Sequence, residues 1–79
     1  MSLESSTEII CIAEIKAKPE MFDKLLNILK ELIPLSKAEP GCLRYELHQN
    51  IDDPMILTFV DRFKDNDAFD FHCTALTVP

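Results

Sequence analysis

The chain predicts an α+β fold, a ferredoxin-like β-α-β-β-α unit with an antiparallel sheet. Two observations carry this reading. Apolar residues alternate along three runs, at 8–17, 42–49 and 55–63, while between the first two they recur at helical spacing, and a short helical pattern follows the third. Asn50-Ile-Asp-Asp-Pro54 is a turn rich in residues that bend the backbone, so the second and third runs pair as an antiparallel hairpin.

The first strand runs from Glu8 to Ala17, with Ile9, Cys11, Ala13, Ile15 and Ala17 on one face and Ile10 and Ile12 on the other. Both faces begin apolar, which predicts cover on both sides. A small chain with few helices finds that second cover most simply in a partner subunit. Pro19 opens the following helix, where its fixed φ suits a first turn, and Glu20 and Asp23 favour the positive end of the helix dipole. Phe22, Leu25, Leu26, Leu29, Leu32 and Ile33 form its core stripe, widened by Met21, Ile28 and Leu35. Pro34 predicts a kink or break, with room for a final turn through Ser36 and Lys37, and Pro40-Gly41 ends the segment.

In the second strand, Cys42 to Gln49, alternation assigns Leu43, Tyr45 and Leu47 to one face and Cys42, Arg44, Glu46 and His48 to the other. The third strand, Met55 to Phe63, is largely apolar on both faces. Asp65 or Asn66 caps a last helix reaching about Ala75, with Ala68, Phe69, His72 and Cys73 on one side.

Residues 8–79 read as one domain behind a flexible leader at 1–7. A chain of 79 residues sits near the lower limit of independent stability, and self-association is the expected supplement. Eight basic residues against fourteen acidic ones, scattered singly, give no footprint for nucleic acid or for an anionic membrane surface. No apolar run approaches the roughly 20 residues of a membrane span. Cys11, Cys42 and Cys73 are an odd number without Cys-x-x-Cys spacing. That speaks against a zinc site or a disulfide scaffold and suits a reducing cytoplasm. With a single glycine there is no glycine-rich phosphate loop.

The order Glu39-Pro-Gly41, Tyr45-Glu46, Asp61 on the third strand and then His72 resembles the signature of the antibiotic biosynthesis monooxygenase family. The resemblance spans Ile9 to about His72 and implies a dimeric α+β barrel. It also implies cofactor-independent oxidation of small aromatic substrates, with no metal or flavin. Members usually carry glutamate where Asp61 stands and often tryptophan where Phe63 stands. They also usually continue past the histidine into more helix and a fourth strand, whereas seven residues follow His72, so the chain reads either as shortened at its C-terminus or as lacking the closing strand by nature. Haem degraders of this fold rely on a pocket tryptophan, which this chain lacks.

Oxygenation without a cofactor needs a base that removes a proton from an electron-rich quinol or phenol, because the anion can pass an electron to O2. His72 is the first candidate base, since an unperturbed imidazole titrates near neutrality. Phe69 and Phe71 beside it could line an apolar site. The same spacing also fits a helix histidine hydrogen-bonded at the edge of the core. Glu46 and Asp61 lie on adjacent strands and could orient the base if the register lets them face each other; ion pairs with Arg44 or Arg62 are the competing arrangement. Tyr45 could donate to a substrate oxygen, or be a core tyrosine with a satisfied hydroxyl. His48, near a turn, is a second candidate for binding substrate or a solvated surface histidine. No metal-ligand spacing is present. The alternatives to an oxygenase are an isomerase of small carbonyl compounds, with the same histidine working α to the carbonyl, and a non-catalytic dimeric ligand-binding domain.

Overall fold

Strands β1 (Ile9–Lys16), β2 (Cys42–Gln49) and β3 (Ile56–Phe63) form one antiparallel sheet in the order β1-β3-β2 in the computed structural model, which describes residues 7–76. Helices α1 (Phe22–Lys37) and α2 (Asn66–Leu76) complete the predicted β-α-β-β-α order. The fold is α+β and ferredoxin-like. Residues 1–6 of the expected leader and the last three residues, 77–79, lie outside the described residues.

Pro19 begins the helical segment as predicted, but the first turn, Pro19–Met21, is a 3-10 turn that leads into α1. Of the kink or break expected at Pro34, the break does not occur, and α1 runs on through Ser36 to Lys37. Proline forfeits one hydrogen bond at its own nitrogen, and here the turn after it closes on its carbonyl, which accepts from Ala38 N at 3.2 Å. That continued turn places Ser36 in the interior.

The apolar face of α1 lies over one face of the sheet. Leu29, Tyr45, Leu57 and Phe59 form the core cluster, flanked by Ile15, Phe22, Leu25, Leu26, Leu32, Ile33 and Leu47. Met21, Ile28 and Leu35, which widen the stripe in the sequence, are exposed. Burying a large aliphatic or aromatic side chain is worth about 1.5–3 kcal/mol, so this cluster is the main stabiliser of the unit.

Register assigns the faces. Cys11, Asp61 and Tyr45 lie side by side across the three strands, as do Ile12, Val60 and Glu46 in the next row. A bulge between Cys42 and Arg44 sets two β2 residues against one on β3. It corrects the strict alternation expected of β2. Cys42 joins the core side with Tyr45, while Leu43 is exposed. The face away from the helices exposes Ile10 and Ile12, at 67% and 68%.

Candidate active site

The site is built from a turn, a strand and a helix. Cys42 N donates to Glu39 O at 3.1 Å, closing a β-turn with Pro40 and Gly41 at its corners. Gly41 has φ +83°, which fits the third position of a type II turn, and a Cβ there would stand 2.6 Å from the Ala68 Cβ. Glycine is therefore required both by the backbone and by the close passage of α2. The start of α2 is fixed by Asp65, whose Oδ1 accepts from Ala68 N at 2.9 Å.

With the turn and helix so placed, Glu39 reaches His72. Their Oε1 and Nδ1 atoms are 2.8 Å apart. Only 4% of His72 is exposed, and its ring lies between Phe63 and Tyr45, with centroid separations of 5.0 and 5.3 Å. A carboxylate accepts only, so Nδ1 carries the proton and donates it to Glu39. Nε2 makes no hydrogen bond among the described residues. With Nδ1 committed to Glu39, Nε2 is the ring nitrogen left to act as a base.

His72 forms one wall of a half-open cleft of about 320 Å³ between the sheet and both helices. Cys11, Ala13 and Ile15 come from β1, Leu29 and Leu32 from α1, Tyr45 and Phe59 from the sheet, and Phe69 and Cys73 from α2. This volume lies at the small end of the range for small-molecule sites, which are mostly apolar with a few polar groups. Asp61 is the acidic group of the lining. It is 5% exposed, and its Oδ1 is enclosed without a hydrogen-bond partner. Burial pushes its carboxyl up to about 6, against a smaller opposing pull from His72. Burial likewise raises the Tyr45 phenol, partly offset by the neighbouring Ser36 side chain. The Cys11 thiol is also raised, by burial first and then by Asp61 and Cys73. It is not an activated thiolate.

The residues singled out in the sequence thus divide between two faces. His72, Asp61, Tyr45 and Phe69 share the cleft. Glu46 and His48 do not reach it. The expected juxtaposition of Glu46 with Asp61 fails because Tyr45, not Glu46, is the register partner of Asp61. Glu46 instead points to the outer face, 3.0 Å from His48 and 3.3 Å from Arg44. Its carboxyl sits below the ordinary value, chiefly through the hydrogen bond from His48. Phe71 is exposed and lines a shallow surface groove with Pro40 and Lys64 rather than the cleft. Sequence reasoning missed Glu39 as the partner of His72. Its only sequence signal is a carboxylate next to Pro-Gly, which does not reveal a contact 33 positions away.

The model of the family described as antibiotic biosynthesis monooxygenase matches residues 8–76. The chain belongs to this family. Among members of similar sequence, the Bacillus subtilis (strain 168) protein named Putative monooxygenase YcnE is 31% identical over 64 residues, covering 81% of this chain and 67% of that relative. Among solved structures, SO0527 from Shewanella oneidensis is 40% identical, with a TM-score of 0.82 over 87% of this chain and 67% of its own. PA3566 from Pseudomonas aeruginosa is 35% identical, with a TM-score of 0.81 over 87% of this chain and 70% of its own. This family member therefore spans roughly two thirds of the length of such relatives. No helix among its described residues is long and apolar enough to cross a membrane.

Proposed function

We propose that the cleft beside His72 oxygenates a small aromatic quinol or phenol with O2, without a metal or flavin taking part. His72 Nε2 takes the proton of a substrate hydroxyl. Glu39 holds the opposite nitrogen and stabilises the imidazolium that forms. The substrate anion passes an electron to O2, and the two radicals combine into a peroxide at a ring carbon. Loss of water then leaves a carbonyl. One oxygen atom stays in the product and the other departs as water, so the substrate supplies all the electrons. The apolar walls exclude bulk water from the anion and the peroxide.

The observation that carries this reading is the buried Glu39–His72 hydrogen bond at the wall of an apolar cleft. An isomerase acting on a phosphorylated carbonyl compound would use the same histidine but would want a cation in the site. Arg44 and Arg62 lie instead in the outer-face row of the sheet, paired in register with each other and with Ile10. The outer face, with Ile10 and Ile12 uncovered, is where a second copy would pack to form a homodimer. Its free cysteines suit a cytoplasmic protein.

Oxygen consumption with a panel of quinols and anthrones tests the reading. Uptake above the autoxidation rate that falls on His72→Ala supports it. Equal uptake in both proteins removes His72 from the reaction.

A further inference from the structure

The Asp61 carboxyl is the unexplained group of the cleft. It makes no hydrogen bond to any described residue, and its neighbours are mostly hydrocarbon and aromatic surface. Leaving a buried acceptor unsatisfied costs free energy that most buried polar groups avoid. Among the described residues, no Lys or Arg lines the cleft to compensate it. All eight Lys and Arg side chains fall within the described residues, and none lines the cleft. Lys16 pairs with Asp53, Arg44 with Glu46 and Arg62 with Glu8. Lys30 and Lys64 line other grooves, and Lys18, Lys24 and Lys37 are exposed.

We infer that Asp61 is a specificity-determining residue that takes a hydroxyl of the ligand, so that the cleft selects uncharged, hydroxyl-bearing aromatic compounds and rejects anionic ones. The inference rests on the cleft being the substrate site, as proposed above. A ligand hydroxyl gives the carboxylate the donor that the protein withholds, in a water-poor setting where such charge-assisted bonds are short and strong. A phosphate monoester or a free carboxylate would bring a second negative charge beside Asp61, with no Lys or Arg in the cleft to offset it. The raised affinity of Asp61 for a proton reflects the same environment: the site favours a donated hydrogen at this carboxyl. Shape alone discriminates weakly between a hydroxyl and a methyl group, whereas a buried polar group left unpaired discriminates strongly.

The test is binding of 2-naphthol, 2-methylnaphthalene and 2-naphthyl phosphate to the full chain, followed by ligand fluorescence and titration calorimetry. The chain has no tryptophan, so the naphthyl emission is read without interference. Wild type is expected to bind 2-naphthol about tenfold or more tighter than 2-methylnaphthalene, and to bind the phosphate more weakly than either. Asp61→Leu should bind 2-methylnaphthalene at least as well as wild type, which shows an intact cleft, and should lose the preference for 2-naphthol. A preference for 2-naphthol that survives in Asp61→Leu overturns the inference. So does tight binding of the phosphate, or no binding of 2-naphthol by wild type. If binding follows the expected pattern while no quinol is oxygenated, the oxygenase reading fails and the role of Asp61 stands.

Discussion

His72 donates its Nδ1 hydrogen to Glu39 at 2.8 Å, although 33 positions separate them in the chain. A glycine turn aims the carboxylate, and two aromatic rings hold the imidazole in place. The tautomer is thereby selected by a group outside the cleft lining, and the free nitrogen is left for chemistry.

Glu39→Gln keeps a hydrogen-bond acceptor but removes the charge that steadies the imidazolium. Glu39 is a positioning residue, so kcat should fall by about tenfold or more while KM stays near the wild-type value. Steady-state oxygen uptake separates the two constants. A loss confined to KM, or to the folded fraction measured by circular dichroism, would mean that the pair is only structural.

Asp61 makes stability depend on pH. Its folded-state value of about 6 lies above the ordinary 3.8, so the folded state holds the proton more tightly. The stabilisation from the protonated acid is complete below the ordinary value and is lost as pH rises through about 6. The loss amounts to at most about 3 kcal/mol. Asp61→Asn removes the titration. Urea denaturation at pH 5 and pH 8 should show wild type losing stability relative to the variant at the higher pH. A difference that is independent of pH would contradict the burial of this carboxyl.

Gly41→Ala places a methyl group against the Ala68 Cβ and forces a side chain into positive φ. The expected cost is about 2 kcal/mol or more, from strain and overpacking together. Gly41→Ala combined with Ala68→Gly should recover only part of it, because the φ penalty remains. Thermal melts of the three proteins measure this.

The uncovered Ile10 and Ile12 predict self-association through the outer face of the sheet. Replacing both with lysine should shift sedimentation from a dimeric to a monomeric mass and leave the fold intact. A wild-type protein that sediments as a monomer at tens of micromolar would remove the homodimer.

The sequence made the elements legible because apolar periodicity is a local signal. Strand β2 was placed at both ends, and α1 and α2 within a few residues. Its faces were harder to assign, since one bulge residue, Leu43, reverses the alternation on one side of it. Pro34 does not break α1, because close to a helix end it costs a single hydrogen bond and the last turn, through Ser36 and Lys37, can still close. In the site, the spacing on α2 put His72 and Phe69 on one face, and the resemblance added Asp61. The contact with Glu39 and the exclusion of Glu46 depend on tertiary register, which no local pattern reports.

The most direct measurement of the central claim is isotope incorporation under ¹⁸O2 with an anthrone as substrate. Wild type should place one labelled atom in each product molecule and release the other as labelled water, at a rate about 10²-fold or more above His72→Ala. Product oxygen derived from solvent, or equal labelling rates in wild type and His72→Ala, would contradict the claim that this cleft is an oxygenase site built on His72.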